Sequence, residues 1–199
     1  MKKTISSILF VAASLLAFYA FTRPAADVFK VDASKSKIGW IGYNVAGGKH
    51  TGEIGVSQGS LAFDGNTLVS GSFTVDINSI SVTDLTGDRA TRLETHLKSE
   101  DFFDAPKFGT AVFKVTKISG TGSNLSITGD LTIKGITKPI TFPATVHQSG
   151  STVHATAKGI KIDRTQFDIK YRSGNFFSGL GDRAISDEFQ LDIEIVAAK

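Results

Sequence analysis

Phe189-Gln190-Leu191-Asp192-Ile193-Glu194-Ile195 alternates apolar and polar side chains without a break. Neighbouring side chains on a strand point to opposite faces, so this stretch reads as a strand with one dry and one wet face. The same period of two recurs upstream. Val153, Ala155 and Ala157 share one parity, and Phe142, Ala144 and Val146 share another, with Gly150 between the two runs. Leu125, Ile127, Leu131 and Ile133 extend the series, as do Ala111, Phe113 and Val115. Phe73, Val75 and Ile77 alternate with Ser72, Thr74 and Asp76. Asp64-Gly65-Asn66 marks a turn after Leu61 and Phe63, and Phe29 and Val31 open the first strand. Roughly eight strands result, joined mostly by short turns.

Two segments depart from this period. From Ile38 to Val45 both parities are apolar, Trp40 on one and Ile41, Tyr43 and Val45 on the other, which predicts a strand covered on both faces, for instance by a helix. Ala90, Leu93 and Leu97 recur three and four apart, one face of a helix starting near Gly87-Asp88 with Asp88 as N-cap. Pro106 stops its continuation. The expectation is a helical excursion over residues 88–104 within an all-β, antiparallel domain. Such strands either stack as two sheets or close on themselves, and alternation alone leaves both open.

Composition narrows the class. The chain opens with Lys2 and Lys3 and then an apolar run from Ile5 to Phe21, the layout of a secretory signal. The run also reaches about 17 residues, the lower limit for a membrane span. Ala20, Ala25 and Ala26 each have an unsuitable residue two places before them (Phe18, Arg23 and Pro24), so no cleavage site stands out. Residues 1–26 are therefore expected to be a signal peptide or an uncleaved membrane anchor, and residues 27–199 the exported domain, periplasmic or secreted. Without cysteine, neither a disulfide nor a lipidated N-terminal cysteine is available, and burial alone must hold a domain large enough for that. The formal charge of +3 comes from Lys2, Lys3 and Arg23, leaving the domain at 0. No basic run interleaved with aromatics follows, which argues against nucleic acid.

Three motifs carry a family resemblance. They are His96-Leu97-Lys98-Ser99-Glu100-Asp101-Phe102-Phe103-Asp104-Ala105-Pro106-Lys107-Phe108, then Gly129-Asp130-Leu131-Thr132-Ile133-Lys134-Gly135-Ile136-Thr137-Lys138-Pro139, then Ile162-Asp163-Arg164-Thr165-Gln166-Phe167. In this order they resemble the YceI-like family of secreted bacterial proteins, over nearly all of the chain after about residue 27. The resemblance implies an eight-stranded lipocalin-like barrel that holds a polyisoprenoid lipid, and it decides barrel over sandwich. Gly109 after Phe108, where proline is the commoner choice, and the loop at 174–181 depart from the family pattern and leave the shape of the mouth open.

Candidate ligand contacts follow from the aromatics. Phe63, Phe73, Phe113, Phe142, Phe167 and Phe189 fall at inward-reading positions, and Trp40 on one face of its strand. They form either a filled core or an apolar cavity wall; Ala111, Ala144, Ala155 and Ala157 on the same faces leave room for the latter. Phe102-Phe103 and Phe176-Phe177 lie outside the alternation, as a lid over the mouth or as a permanent plug. Arg164 is the candidate polar contact, for a diphosphate or a quinone carbonyl; the alternative is an ion pair with Asp187, Glu188 or Asp163. A turn centred on Gly150-Ser151 sets His147 opposite His154, two imidazoles where a zinc site needs three or four ligands, so no metal is expected.

No nucleophile elbow, phosphate-binding loop or His-Glu-x-x-His motif is present. The expectation is a non-catalytic binder of a long apolar molecule without cofactor, implied by the resemblance to be a quinone tail or prenyl diphosphate, for carriage, storage or stress protection. Membrane association through residues 5–21 and a homodimer both remain open. The alternatives are a filled barrel acting as an interaction scaffold, and a hydrolase of lipids or amides with Asp163 or His50 facing the cavity.

Overall fold

Closure of the sheet is the central fact of the architecture. The computed structural model describes residues 26–199; the expected signal or anchor, with its cleavage, falls almost wholly outside them. The strands are β1 (Asp27–Val31), β2 (Lys37–Asn44), β3 (Lys49–Asp64), β4 (Thr67–Val82), β5 (Thr110–Thr121), β6 (Asn124–Ile133), β7 (Ile136–Ser149), β8 (Thr152–Asp163) and β9 (Ile185–Ala198). Helix α1 (Asp88–Lys98) joins β4 to β5, and short 3-10 turns at Arg164–Phe167 and Gly181–Arg183 lie between β8 and β9. Every pairing is antiparallel. Strands β2 to β9 form a ring, with β2 bonded to both β3 and β9. Strand β1 also lies between β3 and β9, beyond the end of β2, so nine strands fill eight columns. The result is a closed eight-stranded antiparallel barrel, in which β7 and β8 pair only beside their hairpin and β4 and β5 over five residues.

Closure needs bent strands, and bulges supply the bends. Pairing slips between Val56 and Gln58 on β3, Val115 and Lys117 on β5, and Ala157 and Ile160 on β8. At the last, Gly159 takes a positive φ of 68° and its N–H donates to Asp192 Oδ1 at 2.8 Å. Each slip moves the inward positions to the other parity. On β8 the inward series is therefore Val153, Ala155, Ala157 and then Ile160 and Ile162.

The two ends differ. The hairpin turns after β3, β5 and β7 share one end with β1, where Phe29, Phe63, Leu68, Val153 and Ala197 are buried together. The Phe29 and Phe63 rings meet edge to face at 5.4 Å. That end is sealed. The opposite end carries the long connections: α1 with residues 99–109, and residues 164–184.

Helix α1 covers that second end. Ala90, Leu93 and Leu97 pack on Trp40, Ile80 and Val82, and Glu94 accepts a hydrogen bond from the Val82 N–H at 2.9 Å. The helix thus lies over the inward face of β2, where Trp40 points. The other face of β2 is not sealed: Ile41 is only half-buried and Val45, just past the strand, is 60% exposed, contrary to the expectation of a strand dry on both sides. Asp88 is the first helical residue rather than the cap; Gly87 caps with φ 58° and no side-chain bond. The helix ends at Lys98, before Pro106, because residues 99–108 fold into tight turns. Phe103 N donates to Leu97 O, Ala105 N to Lys98 O, and Asp104 sits at φ 47°.

Candidate functional site

Inside the barrel, Phe73, Val75, Phe113, Phe142, Leu191 and Ile193 point inward yet are only half-buried. A filled core would seal such side chains. Here they border empty space. One chamber, with about 150 Å³ of room for water-sized molecules, opens toward the α1 end, and a second, with about 130 Å³, lies deeper. Ile38, Val75, Leu131 and Leu191 belong to both walls, so the chambers are neighbours along the barrel axis with only these side chains between them. The deeper wall is carbon throughout. Thr156 is the one polar residue bordering it, whereas Tyr43, Arg164, Ser186 and Glu188 border the upper chamber.

Glycine keeps the axis open. Trp40 is paired with Gly52 across β2 and β3, and Phe73 with Gly59 across β3 and β4. A Cβ at Gly52 would overlap the Trp40 indole, and one at Gly59 would lie 2.9 Å from the Phe73 ring. A Cβ at Gly129 would overlap the Phe113 ring in the same way. Each large ring therefore occupies space beside a neighbouring glycine that a side chain there would take. Ala111 lines the upper chamber, and Ala144, Ala155 and Ala157 line the deeper one, where larger side chains would occupy it.

The aromatic candidates divide by position along the axis. Trp40, Phe102, Phe103 and Phe189 line the upper chamber, and Phe73, Phe113 and Phe142 the deeper one. Phe113 and Phe142 meet at 5.5 Å. Phe63 and Phe167 border neither chamber: Phe63 helps seal the far end, and Phe167 is 1% exposed within packed core. Phe176 and Phe177 also border neither. Each is 51% exposed on the β8–β9 loop, so this pair is no buried plug. Phe102 is buried at the upper end, beside His96 and Tyr171. The His96 ring stands edge-on to Phe102 at 5.0 Å and to Tyr171 at 4.7 Å, tying the α1 segment to the β8–β9 loop. Tyr43, Leu97 and Ile185 were missed as chamber residues, because each sits at or beyond the end of an alternating run.

Arg164 is committed to the fold. It is 4% exposed, and Nε donates to Ser186 O at 3.0 Å, Nη1 to Ile169 O at 2.7 Å and Nη2 to Ile185 O at 3.1 Å. Asp187 lies 3.5 Å from Nη2, so the expected ion pair is present but long, and the carbonyls dominate. Burial pulls the Arg164 pKa down, with Asp187 and Asp163 opposing; a guanidinium stays charged through this. Asp163 accepts from the Thr165 N–H at 2.9 Å and the Thr165 hydroxyl at 2.6 Å, capping the 3-10 turn. Burial raises its pKa, but those Thr165 bonds, Gln166 and the Arg164 charge outweigh it and hold the carboxyl below the ordinary range. Neither Asp163 nor His50 lines a chamber; His50 Nδ1 lies 2.8 Å from Asp84 Oδ2 outside the barrel. His147 and His154 are cross-strand partners. Among the described residues no three metal-binding side chains cluster.

A family model for the YceI-like domain matches residues 29–197. The chain belongs to the YceI-like family. A UPF0312 protein of Vibrio parahaemolyticus is 35% identical to it over 109 residues, 54% of this chain and 53% of that protein. The chain thus matches about half the length of such curated relatives. Among solved structures, BcnA of Burkholderia cenocepacia superposes with a TM-score of 0.63 at 25% identity, covering 84% of this YceI-like chain and 99% of BcnA. A polyisoprenoid binding domain from Saccharophagus degradans, implicated in plant cell wall breakdown, has the same TM-score at 12% identity over 85% of this chain and 97% of its own. At that identity the likeness is one of fold. The YceI-like barrel is a binding-protein fold.

Proposed function

We propose that this YceI-like protein is an exported, non-catalytic carrier of a polyisoprenoid whose head group is neutral, such as a prenyl quinone. The two adjoining apolar chambers along the barrel axis carry this reading. A long hydrocarbon matches a wall made of carbon, and burial contributes about 25 cal/mol per Å² of apolar surface removed from water. The head would rest in the upper chamber, near Tyr43 and Ser186. A neutral head fits better than a diphosphate. Arg164 spends its donors on backbone carbonyls, and Glu188, the other charged residue of that wall, repels phosphate. The empty space argues against a filled scaffold, and the position of Asp163 and His50 argues against a hydrolase built on them. Export rests on the basic start and apolar run of residues 2–21.

Native mass spectrometry of the protein purified from its own membranes tests this. The expected result is a discrete added mass in the range of prenyl lipids. A bare protein that also refuses added prenyl quinone would leave the scaffold reading in its place.

A further inference from the structure

Among the described residues, six large apolar side chains stand exposed. Val28 and Val69 lie apart, toward the sealed end. The other four, Tyr43, Val45, Phe176 and Phe177, lie on the loops at the α1 end. The β2–β3 loop and the β8–β9 loop are joined there: Val45 N donates to Ala184 O at 3.1 Å, Ile185 N donates to Arg172 O at 2.9 Å, and the Phe176 and Phe177 N–H groups both donate to Ser173 O. This bonding holds two adjacent phenylalanines outward at a rim, where exposing them to water is unfavourable. Tyr43 belongs both to this rim and to the wall of the upper chamber.

Cations flank the patch. Lys170 Nζ lies 5.1 Å from the Phe176 ring centroid. Arg172 and Arg183 stand on the same loop and form no ion pair among the described residues. Of the acids on this loop and at the start of β9, Asp168 is engaged by Lys170, Asp187 by Arg164 and Asn175, and Glu188 by Lys161; Asp182 forms no ion pair among the described residues. Exposed aromatics with arginines beside them suit a phospholipid surface: rings enter the boundary of the acyl chains while guanidinium groups meet phosphates.

We infer that this rim docks the protein on an anionic phospholipid bilayer, with Phe176 and Phe177 entering the headgroup–acyl boundary and Arg172 and Arg183 on lipid phosphates. The inference rests on the carrier reading for its purpose. A prenyl chain drawn through water is disfavoured by every CH2 it exposes; docking at this end lets it pass from acyl chains to chamber wall without that exposure.

The test places a single tryptophan at the rim in the full chain, by Phe177→Trp in a Trp40→Phe background. It is mixed with vesicles of brominated phosphatidylcholine, with and without phosphatidylglycerol. Because the probe sits at position 177, attachment through residues 5–21 does not produce the signal. Emission should shift to the blue and be quenched by the bromines, more strongly when phosphatidylglycerol is present. Adding Phe176→Ser to this probe variant should weaken the vesicle affinity read from its quenching at least about tenfold, and adding Arg172→Gln with Arg183→Gln should remove the preference for anionic lipid. Unquenched emission at saturating vesicles would overturn the inference, and so would a rim that instead pairs two copies, seen as a dimer abolished by Phe176→Ser with Phe177→Ser. Quinone uptake by the unaltered protein in the absence of vesicles is scored separately. Uptake without quenching sinks the docking surface alone, and quenching without uptake sinks the carrier reading alone.

Discussion

Gly129 leaves the Phe113 ring the space it occupies on the inner wall, and Lys114 O closes the same gap from the backbone. Gly129→Ala should therefore push Phe113 toward the axis. The expected outcome is a loss of about 1–3 kcal/mol in a urea melt, together with weaker uptake of ligand. Arg164 makes the opposite kind of contribution. Arg164→Met keeps an unbranched side chain but leaves the carbonyls of Ser186, Ile169 and Ile185 without their donor. An unfolding free energy lower by roughly 3 kcal/mol is expected, since each buried group left unpaired costs about 1–3. At this scale the sequence was informative about direction and silent about depth. Alternation correctly put Phe73, Phe113, Phe142 and Phe189 inward, where they line the chambers. It gave Phe63 and Phe167 the same status, because period two reports a face and not a position along the axis.

The β8–β9 connection hangs on the 3-10 turn that Asp163 caps. The folded-state pKa of Asp163 is depressed, so its stabilising contribution is complete above the ordinary carboxylate range and is lost as pH falls through the folded value. Asp163→Ala should cost about 1 kcal/mol at neutral pH, as lost caps do, and should flatten the acid limb of stability below about pH 4. Melts of both proteins across that range check it; a variant whose acid limb is as steep as the parent's would contradict the assignment. Helix α1 was legible from Ala90, Leu93 and Leu97, because a spacing of three and four fits no strand. Its docking site was not. A one-dimensional pattern cannot tell the outside of β2 from the end of the barrel, and the helix chose the end because Trp40, Ile80 and Val82 lie there. The bulges were hidden for a related reason. One extra residue inverts the parity without altering composition, and Gly159 alone hints at one.

The whole molecule combines a sealed end, a hollow axis and a covered mouth, with no disulfide to hold them. A hollow barrel forgoes the burial that a filled one gains, so occupancy and stability should be linked. At a hundredfold excess of free ligand over Kd, binding adds about 2.7 kcal/mol, roughly 5–11 °C in Tm for a domain of this size. Stripping bound lipid should lower Tm by that order, and restoring it should reverse the fall. Closure itself was not readable from alternation, which fits a sandwich equally well; the three ordered motifs decided it. The chain's one tryptophan, Trp40, lines the upper chamber and reports on occupancy directly. The measurement is a titration of Trp40 fluorescence with a long-chain prenyl quinone, in parallel with Ala144→Phe, which places a ring in the deeper chamber. Saturable quenching in the parent protein and a marked loss of affinity in Ala144→Phe are predicted. Absence of saturable quenching, or equal affinity in the two proteins, would contradict an apolar chain lying along the barrel axis.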